Sequence, residues 1–347
     1  MRPCIRRVTI AAVAAITLAL MSCAGGPGRD INNAVQDIPL LFFIKRTYSW
    51  MAVEYGNEKE SVVIIRDPPN NGPVIGRWFP KASVTEQLDG NVLIHLDGYG
   101  YSGHKLASNV FFRASSECLY KMNINSDIGN FYSTFIPVSE PKVSFHIFHI
   151  TASGGVGGIA DTPENRAQAT KIGVEVFTDA IKQGFTVAME RVKEGQIWLG
   201  IGPRPDQPSK PYWATPGDHD VVNEFVRIRE DGKDFIGPIR VHKGDQLSLK
   251  VQTECGWGMD CYLVENSVVL GALASHVDPE NNPPREHFVL AKQEGTKSWE
   301  QTLPVTSDGV VWLIVDNANG GGATPPTDGV DNILDATVYI GLVRAKQ

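Results

Sequence analysis

The chain has 347 residues, 42% of them apolar and 20% charged, with 34 glycines, 22 prolines and a formal net charge of −7. That composition supplies ample material for a packed core and predicts about two domains, while its glycine and proline content favours short strands joined by turns. An acidic body without a run of lysines or arginines excludes nucleic acid as a partner, since basic patches supply that affinity.

The first element is a leader. Arg2, Arg6 and Arg7 precede Val8 to Met21, an uncharged apolar run too short to span a membrane but suited to a signal-peptide core. Removing residues 1–22 lowers the net charge by three, to −10. The stretch Leu20-Met21-Ser22-Cys23 resembles a bacterial lipobox, with Met21 departing from the usual small residue. The resemblance implies that Cys23 carries a diacylglycerol thioether and an acyl chain of the palmitate type. Together these would anchor the protein to the cell envelope, each buried methylene adding ~0.8 kcal/mol. Ala24 is compatible with an outer-membrane location in a Gram-negative cell. Residues 23–37 read as a Gly-rich, polar tether. A plain cleaved signal peptide is the alternative.

From Ile38 the segment "IPLLFFIKRTYSWMAVEY" is an apolar strand or short helix. Runs such as "SVVIIRD", "VIGRWF", "NVLIHLDGY", "NVFFRAS" and "KVSFHIFHI" are β-branched or aromatic and separated by turn residues, so residues 38–150 are predicted to form a β-rich domain. His146 and His149 lie three apart. On a regular strand they face opposite sides and cannot share a metal.

Residues 151–195 hold a Gly-rich loop and one long amphipathic helix. Thr162 is its expected N-cap, Pro163 its first residue, and Glu164 complements the dipole. Val174, Phe177, Ile181, Phe185, Ala188 and Val192 make an apolar stripe, which predicts a helix running on to a stop at Gly195. The loop "SGGVGG" meets neither the P-loop nor the dinucleotide-binding pattern.

Residues 196–347 return to strands. Leu247, Leu249 and Val251 alternate cleanly. Val311, Leu313 and Val315 alternate with Val310, Trp312 and Ile314, so both faces of that strand should be covered. "IRVHKGDQLSLKVQT", "CYLVENS" and "LPVTSDGVVWLIVDNANGGG" resemble the PPC-like or jelly-roll accessory domains of secreted prokaryotic proteins. That resemblance implies a β-sandwich of accessory, non-catalytic kind. The expected fold class is therefore mainly β: two sandwich or jelly-roll-like modules joined by one long amphipathic helix.

Candidate chemistry is sparse. Cys255 and Cys261 flank a five-residue loop, where a disulfide is expected in an oxidising envelope and two free thiols are the alternative. Asp218, His219 and Asp220 form an Asp-His-Asp group in a Pro-rich loop, able to act as an acid/base pair or to hold a metal. Asp316, Asp328, Asp331 and Asp335 supply the oxygen density that calcium would take, without EF-hand spacing. Tyr212, Trp213 and Trp257 are loop aromatics of the kind that mark sugar or protein contacts, or that plug the end of a sandwich. No Gly-x-Ser-x-Gly or His-Glu-x-x-His element supports hydrolysis. The expectation is a lipid-anchored envelope protein that binds a protein partner or a polysaccharide, with an Asp-His-Asp hydrolase as the rival.

Overall fold

A computed structural model describes residues 62–67, 72–86, 91–104, 108–127, 130–152, 160–191, 197–202, 217–281, 289–318, 321–326, 328 and 331–344. The protein is mainly β. Its N-terminal strands are β1 (Val63–Arg66), β2 (Val74–Glu86), β3 (Val92–His104), β4 (Ser108–Asp127), β5 (Asn130–Pro137) and β6 (Lys142–Ala152). Helix α1 (Pro163–Lys182) follows, then β7 (Phe185–Arg191) and β8 (Ile197–Gly202).

The C-terminal strands are β9 (Gly217–Ile228), β10 (Lys233–Val241), β11 (Gln246–Thr253), β12 (Met259–Glu265), β13 (Val289–Thr296), β14 (Ser298–Pro304), β15 (Gly309–Asp316) and β16 (Leu334–Arg344). Helix α2 (Asn266–Val277) sits between β12 and β13. No helix among the described residues is long and apolar enough to cross a membrane.

The C-terminal strands form two antiparallel four-stranded layers, ordered β14-β11-β16-β9 and β10-β15-β12-β13. Successive strands alternate between layers except across the β12–β13 pair, which is the arrangement of a jelly roll. Leu247, Leu249 and Val251 of β11, Val311, Leu313 and Val315 of β15, and Val338 and Ile340 of β16 fill the space between the layers. The opposite face of β15, with Trp312 and Ile314, packs into a second core. Both faces of β15 are thus covered, as its uninterrupted apolar run requires.

The first layer of the sandwich continues into the N-terminal strands, giving a twelve-stranded sheet whose main path is β14-β11-β16-β9-β2-β3-β4-β5-β7-β8, with β1 paired to β2 and β6 to β4 off that path. The join is slight, one parallel pair between Val74 and Val226. The long strand β4 carries β6 along its first half and β5 along its second, on one edge. Helix α1 covers the inward face of this sheet, where Trp78, Phe112, Ala114, Ile147 and Phe177 form a third core.

Three sequence expectations change. Helix α1 starts as predicted, with Thr162 Oγ1 accepting from Asn165 N at 3.3 Å. It ends at Lys182 rather than near Gly195, because Gly184 takes a left-handed φ of 68°. Phe185 and Ala188 belong to β7, and Val192 and Gly195 lie outside the described residues. Gly173 lets the helix approach β6 closely: a Cβ there would stand 2.7 Å from the Phe145 ring. The segment after "CYLVE" is helix α2, not strand. It is apolar nearly all round and wedged between β3, β12 and β15, and for so short an apolar run period does not separate helix from strand.

The third change concerns the cysteines. Cys255 and Cys261 are free thiols and no disulfide joins them. Strands β11 and β12 belong to opposite layers, so the loop between them is a crossover and not a hairpin. Cys255 Sγ faces Ile333 O at 3.5 Å, while Cys261 is fully buried in the sandwich core. Cys118 is a buried free thiol.

Candidate functional site

The cleft of interest lies on the outward face of the N-terminal sheet. Strands β2, β3, β4 and β6 align their outward residues in four rows. The first is Arg77-Tyr101-Phe111-His149 and the second Phe79-Tyr99-Arg113-His146. The third is Lys81-Asp97-Ser115-Ser144 and the fourth Ser83-His95-Glu117-Lys142. Residues two apart on a strand share a face, which makes these rows follow from register alone.

One local irregularity shapes the site. A shift in pairing falls between Phe111 and Phe112, where Phe112 pairs with Ile147 and Phe111 with His149. Phe148 is the extra residue of a β-bulge, and a bulge re-aims the side chains beyond it. His146, Phe148 and His149 therefore lie on one face. The expectation that the two histidines face opposite sides is corrected by this inserted residue. Phe148 touches both Tyr99 (5.8 Å between ring centres) and His146 (5.0 Å, edge-on).

The first row is locked beneath the sandwich. Arg77, 2% exposed, donates from Nε to Asp234 Oδ1 at 2.8 Å, and from Nη2 to Asp234 Oδ2 at 2.9 Å and Glu224 Oε2 at 2.6 Å. Tyr101 donates to Asp234 Oδ1 at 2.7 Å and accepts from Phe235 N at 2.7 Å. Burial alone would lower the pKa of Arg77, but Asp234 and Glu224 hold it well above the ordinary value. Burial, reinforced by Asp234, pushes the Tyr101 phenol well up. These groups tie β2 and β3 to β9 and β10.

Beside this lock is a cavity of about 10 Å³, room for about one water, lined by Tyr101, Asn109, Phe111, Lys233, Asp234 and His276 among others. His276, near the end of α2, is ringed by Phe111 (4.8 Å), Phe235 (5.7 Å) and Tyr101 (5.9 Å). Burial, with Lys233 and His149 adding to it, pulls its pKa down to about 3. His149 stacks on the other side of Phe111 at 4.2 Å, and burial lowers its pKa too.

The lower rows are open. Arg113, with a side chain 52% exposed, donates from Nε to Asp97 Oδ1 at 2.9 Å, while its Nη2 meets Asp97 Oδ2. Its guanidinium lies 5.8 Å from the Tyr99 ring centre. The hydrogen bond from Arg113 holds the Asp97 carboxyl below the usual range. Lys142 pairs with Glu117 at 2.8 Å.

The residues singled out from sequence are placed elsewhere. Gly217 to Asp220 begin strand β9 instead of lying in a loop, and Asp218, His219 and Asp220 pair in turn with Val343, Leu342 and Gly341. The side chains of Asp218 and His219 lie outside the described residues. Asp220 accepts from Tyr339 Oη at 2.6 Å.

The four aspartates expected to attract calcium are each engaged by protein groups. Lys233 Nζ reaches Asp316 Oδ2 at 2.6 Å, Arg229 pairs with Asp331, and Arg227 takes Asp335 in a fork at 2.7 Å. Asn332 Nδ2 reaches Asp328 Oδ1 at 3.2 Å. Burial outweighs Lys233 and raises the Asp316 pKa. Among the described residues no group of three or more His, Cys, Asp or Glu side chains is placed to hold a metal.

Trp257 is partly buried and donates to Asn317 Oδ1 at 3.0 Å, capping one end of the sandwich. Asn317 in turn ties Ile228 O and Asn332 O. Tyr212, Trp213 and Cys23 lie outside the described residues. Sequence reasoning missed Tyr99, Arg113 and Phe148. The aromatic spacing of "FHIFHI" was visible, but the bulge that gathers those rings was not.

No protein-family model and no curated protein matches the chain. Among solved structures it is similar to a glycoside hydrolase family 43 arabinoxylan arabinofuranohydrolase from Bacillus subtilis, at 9% identity and a TM-score of 0.23, covering 77% of this chain and 67% of that one. It is also similar to a structure from the infectious bursal disease virus Gx strain, at 10% identity and a TM-score of 0.22, covering 77% and 71%. A third similarity is to an exo-inulinase from Aspergillus awamori, at 6% identity and a TM-score of 0.18, covering 78% and 85%. Overlaps this slight carry no inference about what the chain does.

Proposed function

We propose that this protein is a lipoprotein of the bacterial cell envelope, anchored through Cys23, whose role is binding or assembly without catalysis. The anchor rests on the cationic leader, the short apolar run and the lipobox-like Leu20 to Cys23. In a Gram-negative cell, Ala24 is compatible with sorting to the outer membrane. The observation that carries the binding role is the outward face of the N-terminal sheet. Rings and hydrogen-bonding groups from three strands are gathered there by a bulge and left open beside the sandwich. Among the described residues, the aspartates from Asp316 to Asp335 that could have held a metal are instead engaged in internal pairs, such as Arg229–Asp331 and Lys233–Asp316.

The anchor is tested by Cys23→Ser, which should move the protein from the membrane to the soluble fraction; membrane retention of the variant refutes it. The binding role is tested by capturing the intact protein from gently solubilised membranes beside an Arg113→Ala, His146→Ala variant. A partner enriched by the wild type and depleted by the variant supports the role. Equal recovery by both removes the role from this face.

A further inference from the structure

We propose that the open half of this face is a binding platform for a hydroxyl-rich polysaccharide; the proposal rests on the binding role above and names its ligand. A sugar ring offers an apolar C–H face bordered by hydroxyls that both donate and accept. Its complement is a partly exposed aromatic surface edged by fixed polar groups of both kinds.

The second row and its bulge supply the aromatic part. Tyr99, Phe148 and His146 are contiguous, and His146 is exposed while the two larger rings are partly so. The polar part stands next to it. Arg113 and Asp97 hold each other in a two-point fork, which leaves their outer edges as a planar donor beside a planar acceptor at the surface. Such a pair is already ordered before a ligand arrives, which lowers the cost of binding. Ser115 and Ser144 continue the third row with hydroxyls, and His95 stands in the fourth.

The charge pattern favours sugar hydroxyls over a strongly ionic ligand. Arg113 is matched by Asp97 and Lys142 by Glu117, leaving Lys81 as the excess charge on the open rows. A surface reading charge alone would not neutralise its own bases.

The geometry also fits a chain rather than a single sugar. The rows are spaced by two residues, so the three open ones span about 13 Å along the strands. The sandwich bounds one end of this shelf, where Phe79 meets Trp312 at 5.6 Å.

Affinity electrophoresis of the full chain through gels containing a mixed-linkage β-glucan, a galactomannan or hyaluronan tests this and separates neutral from acidic glycans. Retardation by at least one polymer is expected, with binding weakened about tenfold or more in Arg113→Ala and in His146→Ala. Arg113→Lys should not restore it, because lysine keeps the charge but loses the fork; binding by Arg113→Lys equal to wild type would reduce the site to a charge effect and overturn the proposal. The exposed His146 serves as the test position should an Arg113 variant fail to fold. No retardation by any of the three polymers, or equal retardation of wild type and every folded variant, overturns it as well. Capture of a protein partner through this face without glycan binding would leave the binding role standing and remove the polysaccharide.

Discussion

His276 is the residue whose chemistry the fold alters most. In an unfolded chain its imidazole titrates near pH 6.5, and in the protein burial among Phe111, Phe235 and Tyr101 lowers that to about 3. A group whose folded pKa is depressed stabilises the fold fully above its unfolded pKa. That stability is lost as pH falls through the window between the two values. His149, across Phe111, is depressed in the same direction. The melting temperature should therefore fall between about pH 6.5 and pH 4. In His276→Phe, which keeps a ring and cannot charge, the fall should be shallower; an unchanged profile in thermal melts across that range would show that other groups govern it. The histidines of "FHIFHI" were legible in sequence, but their common face was not. One inserted residue in β6 reverses the alternation beyond it, and nothing in a two-residue period announces where the insertion falls.

At the scale of the element, α1 and β7 show how a strong pattern misleads. The stripe from Val174 through Val192 reads as one helix because three- and four-residue spacings continue past Ile181. The chain turns at Gly184, whose φ of 68° an L side chain adopts only with strain. Phe185 then stacks on Phe135 at 4.5 Å from a strand. Gly184→Ala should destabilise the protein by about 1 kcal/mol or somewhat more, read from urea unfolding. A neutral or stabilising result would mean that the helix simply lengthens. Strand β15 is the contrary case, since its two alternating apolar sets do face two cores.

For the whole molecule, the contact between modules is decided by Arg77. One ladder pair joins β2 to β9, yet Arg77, Asp234, Glu224 and Tyr101 form a buried network across that seam. Removing one partner leaves a charge buried without compensation, which costs about 3–5 kcal/mol. Asp234→Ala should lose stability of that order, and calorimetry is expected to show one transition for the wild type and a broadened or divided one for the variant. A variant that melts as one sharp transition at the wild-type temperature would assign the coupling to the aromatic core around Trp312 and Phe79 instead.

By itself the sequence determined the β class, the start of α1 and the two covered faces of β15, because each is written in local composition or in a short period. Tertiary structure alone decided that Cys255 and Cys261 belong to opposite layers, that the acidic residues from Asp316 to Asp335 answer Arg227, Arg229 and Lys233, and that Tyr99, Arg113 and His146 lie side by side. Those pairings join residues far apart in the chain through strand register. Register is fixed by the packing of whole sheets and has no signature in any short window.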